Sequence, residues 1–128
     1  MEFNIKEGMS TTNEMIVTEN DTASKYGSGL LDVLSTPCMI GLMEGTSKKV
    51  VDDCLPEGFS TVGIEVSIKH LKATPIGMRV KCQAVLEKID GKKLVFKVEA
   101  WDEKGKIGEG THTRFIINEE AFMNKIKL

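Results

Sequence analysis

The sequence lacks a strong excess of either charge, and it lacks any long apolar run. Its 128 residues include 17 Lys and Arg against 19 Asp and Glu, which gives a formal net charge of −2. Such a balance does not predict nucleic acid or an acidic membrane surface as a partner. No apolar run approaches the roughly 18 residues of a membrane span, so we expect no association with a membrane.

Cysteine is scarce and shows no pattern. The three cysteines, Cys38, Cys54 and Cys82, are odd in number and lack the CxxC spacing. The N-terminal sequence MEFNIKEGMS has neither the basic segment nor the apolar segment of a secretory signal. We therefore expect free thiols in a cytoplasmic protein.

Length and composition predict one globular domain. Apolar residues make up 41% of the chain and charged residues 28%, which is ordinary for a globular protein. There is no internal repeat and no low-complexity segment, and the length allows a substantial core. We therefore predict a single domain over residues 1–128.

One segment combines an apolar run with a lone carboxylate, and it is predicted to be a helix over residues 37–53. Thr36 is a good N-cap, Pro37 suits the first helical position, and Lys48 lies in a later turn. The first two turns are almost wholly apolar. A helix that is apolar nearly all round must be covered on most of its sides.

Strand patterns dominate the rest of the chain. The predicted strands are 11–18, 61–74, 78–89, 94–101 and 107–117. An Asp-Gly pair at 90–91 predicts a hairpin, residues 19–32 read as a loop, and the C-terminal residues fit a short helix. In the second strand, the residues predicted to share the buried face are Val62, Ile64, Val66, Ile68 and His70.

The order of these elements predicts the architecture. The chain has one strand, a buried helix and four consecutive antiparallel strands. The apolar surface of the helix can be covered only if the sheet curls around it. This is the α+β hotdog fold, a curled antiparallel β-sheet wrapped around a central α-helix. Hotdog domains typically pair as dimers, which would also cover an exposed sheet edge.

Two polar residues of the predicted helix are candidates for chemistry. Thr36 lies at the helix N-terminus, where backbone N–H groups and the helix dipole stabilise a developing oxyanion. The alternative is that Thr36 serves only as a cap. Glu44 follows the apolar run, and burial there would make its carboxylate a stronger base. The alternative is a helix face that turns toward solvent, since EGTSKK is polar.

The two histidines are further candidates. His70 continues the apolar face of its strand and would point toward the core, where a packed, hydrogen-bonded histidine is the alternative. The spacing of His112 does not decide between the site and the surface. The two histidines show no HxH or HxxxH spacing, so a metal site has little support. Cys38, in an apolar helix, is expected to be inert.

Three segments together resemble the fluoroacetyl-CoA thioesterase-like family of hotdog proteins. They are STPCMIGLMEG at 35–45, HLKATPIG at 70–77 and GEGTHTRFII at 108–117. The resemblance covers roughly residues 6–122. It implies hydrolysis of an acyl-CoA thioester without a cofactor or metal, by a homodimer or a dimer of dimers.

The resemblance also implies the catalytic residues Thr36, Glu44 and His70. Thr36 would position or polarise the acyl group, and Glu44 would act as nucleophile or as general base on water. His70 would polarise the group, shuttle a proton or help the thiolate leave. The fluoroacetyl-specific members carry aromatic residues before the helix, whereas this chain has Leu30 and Leu31. We therefore expect a different small or medium acyl group.

Two other functions are open to a chain with this fold. A hotdog protein could bind an acyl-CoA or a related small molecule without turning it over, and Glu44 and His70 would then be structural. A hotdog enzyme could instead hydrate an enoyl-CoA. Such enzymes usually use an Asp/His pair in a different motif, which this sequence does not contain.

Overall fold

The computed structural model describes residues 3–128, and five of its strands form one antiparallel sheet. The strands are β1 (Ser10–Ile16), β2 (Phe59–His70), β3 (Arg79–Asp90), β4 (Lys93–Asp102) and β5 (Gly105–Asn118). Their order across the sheet is β1-β3-β4-β5-β2. The helices are α1 (Ala23–Tyr26), α2 (Thr36–Val51) and α3 (Glu119–Lys125). A 3₁₀ turn, Asp52–Cys54, continues α2.

The sheet wraps around α2, which contacts all five strands. The inner faces of β3 and β4 form the core. Their fully buried residues are Val80, Cys82, Ala84, Leu86, Leu94, Phe96, Val98 and Ala100. From the helix, Met39 and Met43 pack against this layer with no exposed surface. The predicted α+β architecture is confirmed.

The start of α2 differs from the prediction. Ser35, not Thr36, is the N-cap, because its side chain accepts a hydrogen bond from the backbone N–H of Cys38 at 3.2 Å. Both residues carry a hydroxyl that could cap, and Ser35 has the extended backbone that a cap needs. The helix therefore begins at Thr36, and the Thr36 hydroxyl remains free to contact another element.

The face predicted for β2 is partly wrong. A β-bulge shifts the register of β2 against β5 between Gly63 and Glu65. Val62 consequently pairs with Phe115 on the outer face of the sheet, while Gly63 pairs with buried Arg114 on the inner face. Ile64 and Val66 are 54% and 46% exposed because β2 lies at the sheet edge.

The remaining elements follow the sequence more closely. The Asp-Gly pair joins β3 to β4, with Gly91 in a left-handed conformation at φ 62°. The C-terminal helix is present as α3. The predicted loop at 19–32 contains a 3₁₀ turn and the single turn of α1. No helix within residues 3–128 has the length and apolar character needed to cross a membrane.

Two glycines of β5 allow close approach to neighbouring elements. A Cβ at Gly110 would lie 2.0 Å from the carbonyl oxygen of Ser67 in the neighbouring strand. A Cβ at Gly108 would lie 2.6 Å from the Met39 sulfur. Backbone of a paired strand cannot yield as a methionine side chain can, so Gly110 is the more tightly constrained position.

The substitution Gly110→Ala should destabilise the fold by about 1–3 kcal/mol or more, because the new methyl group overlaps backbone of β2. Urea unfolding measures the change. Gly45→Ala is the matched control, since a Cβ there meets nothing within 4 Å. On an exposed helical turn, that control should stabilise by about 1 kcal/mol. Equal stability of Gly110→Ala and wild type would contradict the contact.

Candidate functional site

Thr36 and His70 meet at the N-terminus of α2. The Thr36 Oγ1 and the His70 Nδ1 are 2.7 Å apart, although the residues are separated by 34 positions in the sequence. A threonine hydroxyl can donate or accept, so it suits either tautomer of the ring. The other ring nitrogen, Nε2, is buried and has no hydrogen-bond partner within residues 3–128. Burial lowers the pKa of His70 below its ordinary 6.5.

A cavity of about 340 Å³ opens beside this pair. Its size falls in the range of small-molecule sites. The wall is mixed: Val33, Leu34 and Leu71 are among its aliphatic residues, and Thr36 and His70 are among its polar ones. An acyl group placed in the cavity would therefore bring its carbonyl to the hydroxyl and the imidazole.

Glu44 does not join the pair within one chain. It lies eight residues after Thr36, and a rise of 1.5 Å per residue separates the two by about 12 Å along the helix. Both residues nevertheless lie toward one side of α2, because positions four apart follow each other on a helix face. The Glu44 side chain is 43% exposed, and its Oε2 is 4.0 Å from the Nε2 of His112.

His112 and Arg114 are functional candidates whose place the sequence did not decide. Arg114 donates from Nε to the Thr61 hydroxyl at 2.8 Å and from Nη2 to the Thr61 carbonyl at 2.9 Å. Its Nη1 is 3.0 Å from the His112 Nε2. The His112 Nδ1 is 2.8 Å from the Glu65 carbonyl oxygen. Both side chains are buried.

These contacts fix the protonation state of His112. A guanidinium can only donate, so the His112 Nε2 must accept, and Nδ1 carries the proton and donates to Glu65. Burial is the main cause that lowers the pKa of His112, and the charge of Arg114 adds to it, while the Glu65 carbonyl and Glu44 oppose. The ring is therefore held neutral.

Because Gly63 has no side chain, it leaves room for His112, Glu44 and Arg114 to come together. A Cβ at Gly63 would lie 3.0 Å from the ring of His112, 3.1 Å from the Glu44 carboxylate and 3.3 Å from the Arg114 guanidinium. Burial lowers the pKa of Arg114, while Glu44 and Asp52 oppose the shift. A buried cation thus faces Glu44. The i, i+2 spacing of His112 and Arg114 on a strand was the sequence signal for a shared face.

The arrangement offers carboxylate, imidazole and hydroxyl chemistry. A carboxylate can attack a carbonyl or deprotonate water, and a helix N-terminus can stabilise an oxyanion. Within residues 3–128, no three His, Cys, Asp or Glu side chains converge as metal ligands would.

Comparisons with known proteins agree on one family. A family model described as fluoroacetyl-CoA-specific thioesterase, FlK, matches residues 17–120. The chain is 34% identical over 96 residues to the fluoroacetyl-CoA thioesterase of Streptantibioticus cattleyicolor, covering 75% of this chain and 69% of that protein. This chain belongs to the fluoroacetyl-CoA-specific thioesterase family. The enzyme class is thioester hydrolase, as the resemblance implied.

Comparison with solved structures shows that the similarity of this thioesterase to its family extends over the whole fold. The fluoroacetyl-CoA thioesterase FlK superposes with a TM-score of 0.91 at 29% identity, covering 96% of each chain. A Thermus thermophilus protein described as a thioesterase superfamily member gives a TM-score of 0.87 at 31% identity, covering 95% of this chain and 93% of that one. A non-catalytic binding role is therefore not favoured.

Acid should weaken the folded thioesterase through His112. Because its pKa is lowered on folding, below about pH 6.5 the unfolded chain binds a proton that the folded chain does not. The free energy of unfolding should fall as the pH drops below that value, by at most about 1.4 kcal/mol per pH unit for this residue. Urea unfolding at about pH 7.5 and about pH 5.5 measures the slope.

The variant His112→Gln should reduce this slope, because it removes the titrating group. His70→Gln is measured in parallel, since the pKa of His70 is also lowered and contributes in the same direction. An unchanged slope in His112→Gln, with the protein folded at both pH values, would contradict the assignment of a neutral, buried His112.

Proposed function

We propose that this thioesterase hydrolyses a small or medium acyl-CoA thioester to the free acid and CoA, with Thr36, Glu44 and His70 as catalytic residues. The observation that carries the proposal is the 2.7 Å contact of Thr36 with His70 beside an acyl-sized cavity. A variant of the relative FlK has been crystallised with fluoroacetate and CoA, which supports the same substrate class here.

The active unit is a homodimer that pairs its β2 strands, and two such dimers can associate further. β2 is an edge strand, and its exposed stretch 63–67 includes apolar Ile64 and Val66. Exposed edges of this kind invite pairing with another chain. A two-fold axis within this stretch runs the paired strands antiparallel, so His70 of one copy lies near the residues around Gly63 of the other.

This pairing resolves the separation of the site residues. Glu44 lies beside Gly63, so a second copy brings its own Thr36 and His70 toward Glu44 of the first. Each dimer then holds two composite sites. One thioester carbonyl can reach the hydroxyl and the imidazole of one chain and the carboxylate of the other.

The first turn of α2 supplies few donors to the carbonyl oxygen. Pro37 has no N–H, and the N–H of Cys38 is held by Ser35. This leaves the hydroxyl and the backbone N–H of Thr36 to stabilise the oxyanion, together with the helix dipole. Stabilisation of the negative charge on the carbonyl oxygen therefore depends mainly on Thr36.

Glu44 then attacks the carbonyl carbon or removes a proton from the attacking water. Collapse of the tetrahedral intermediate breaks the C–S bond and releases the CoA thiolate. In the general-base route, the proton that Glu44 takes from water passes to the sulfur, with neutral His70 placed to relay it. In the nucleophilic route, water hydrolyses the acyl–Glu44 anhydride, and the free carboxylate is regenerated.

We infer a small or medium acyl group because the cavity is about 340 Å³ and has Val33, Leu34 and Leu71 in its wall. Each methylene is worth about 1–3 kcal/mol in such a pocket, so selectivity among neighbouring chain lengths is modest. The free thiols of Cys38, Cys54 and Cys82 suit a reducing compartment, which supports a cytoplasmic enzyme.

Replacing Glu44 with Ala should lower kcat by about 10²–10⁴-fold, the usual contribution of a positioned base or nucleophile. Free-thiol release from acetyl-, butyryl-, hexanoyl-, phenylacetyl- and fluoroacetyl-CoA measures it. Glu57→Gln, in the exposed turn before β2, is the control and should match wild type. Absence of thiol release by the wild type from every acyl-CoA of the panel would contradict the proposal, as would full activity of Glu44→Ala.

Mixing two inactive variants tests the composite site. Glu44→Ala and His70→Ala, unfolded together and refolded, should regain about a quarter of wild-type activity. Half of the dimers are then mixed, and each mixed dimer has one intact site. Sites contained within one chain would give no recovery, because every chain would carry a defect. Sedimentation of the refolded mixture confirms that dimers have formed.

A further inference from the structure

Asp102, at the end of β4, is a buried carboxylate that the proposed chemistry does not use. Its side chain is 1% exposed. Its Oδ1 accepts from the backbone N–H groups of Lys104 at 2.8 Å and Gly105 at 3.1 Å, which closes the turn into β5. The same oxygen accepts from the Lys72 Nζ at 3.1 Å, and Oδ2 accepts from the Thr74 hydroxyl at 3.0 Å.

Lys72 and Thr74 belong to the segment 71–74, which directly follows His70. That segment is anchored on both sides. The N–H of Leu71 donates to the carbonyl of Ile107 in β5 at 2.7 Å. The carbonyl of Thr74 accepts from the N–H of Leu34 at 2.9 Å, two residues before Thr36. One short stretch therefore begins at His70 and holds the chain that leads into Thr36.

We infer that Asp102 is a positioning residue that fixes the hydrogen bond between Thr36 and His70. It fixes the 71–74 segment from behind, through Thr74 and Lys72. The segment in turn sets both ends of the contact, one covalently at His70 and the other through Leu34. Asp102 does not line the cavity, so it acts on the site only through these neighbours. Its importance for turnover depends on the proposed thioesterase function.

The charge of Asp102 suits this role. Burial alone would raise the pKa of Asp102, but the N–H of Lys104, Lys72 and the Thr74 hydroxyl outweigh it and lower the pKa below its ordinary 3.8. The group is thus a carboxylate at neutral pH, and Thr74, itself fully buried, has Asp102 as its hydroxyl partner. A neutral side chain at 102 would leave Lys72 without its counter-ion.

Two variants separate the role of Asp102 in the turn before β5 from its role in holding the 71–74 segment. Asp102→Asn removes the charge. Thr74→Val removes the hydrogen bond between Thr74 and Asp102 and leaves the bonds from the N–H groups of Lys104 and Gly105 intact. Thr36→Val is the reference, because it deletes the hydrogen bond to His70 directly. Glu103→Gln is the matched control: it alters the adjacent exposed carboxylate, which accepts one N–H from Arg79 at 2.8 Å.

The readout is the imidazole NMR spectrum, since the chain has two histidines. In Asp102→Asn and Thr74→Val, the His70 signal should move toward its position in Thr36→Val, and the pKa of His70 should rise toward 6.5 as the ring loosens. The His112 signal should stay in place. In the thioesterase assay, kcat should fall about tenfold or more with a smaller change in KM, since misplacement of reacting groups costs rate.

The NMR spectrum tests the inference independently of the thioesterase assay. An unmoved His70 signal in folded Thr74→Val would overturn it, and so would a joint shift of both histidine signals, which indicates general loosening. Should Asp102→Asn not fold, Thr74→Val carries the test alone. Absence of thioesterase activity in the wild type would refute the proposed function while the NMR result still judges the role of Asp102.

Discussion

The pitch of α2 is the constraint on which the site depends. It places Glu44 about 12 Å further along the helix axis than Thr36, whereas the hydroxyl of one and the carboxylate of the other must reach one carbonyl. Strand β2 contacts Thr36 through His70 and lies beside Glu44 at Gly63. A second copy docked at this exposed edge, as proposed, would bring the two groups together. Helix geometry thus makes the proposed activity a property of the pair of chains.

The two halves of the proposed composite site differ in their electrostatics. The Thr36–His70 half offers a hydroxyl, an imidazole and a helix N-terminus, with Lys72 in the wall of the adjoining cavity. The Glu44 half contains a buried guanidinium, Arg114, whose position is fixed by Thr61 and by neutral His112. The Glu44 carboxylate therefore lies beside a buried cation. Developing negative charge and the attacking group are therefore handled by different elements, which limits interference between them.

Much of the fold could be predicted because its signals are local. The strand patterns of β3 and β4, the Asp-Gly turn and the apolar run of α2 each depend on neighbouring residues, and each element is present in the structure. The bulge at Gly63 could not be predicted, because it is a property of the register between β2 and β5. The N-cap was misplaced by one residue because Ser35 and Thr36 carry the same capping group.

The sequence indicated the candidate site residues but not their arrangement. Thr36, Glu44 and His70 were selected on their positions and on family resemblance, and the structure brings Thr36 to His70. That Glu44 belongs instead with His112 and Arg114 follows from tertiary contacts that no spacing records. Asp102 gave no signal at all, since an aspartate before a glycine-containing turn is common. Its second role appears only when the turn is seen against the 71–74 segment.

The position of β5 in the chain has a consequence for synthesis. β5 is the last of the five described strands to leave the ribosome, yet it carries His112 and Arg114 and pairs with β2 from Gly108 to Asn118. Until it emerges, β2 has no neighbour in the sheet and His70 has no fixed position. A nascent chain therefore holds α2 and its apolar face without the strand that completes their cover. Competence for chemistry and protection from aggregation therefore both depend on the emergence of β5.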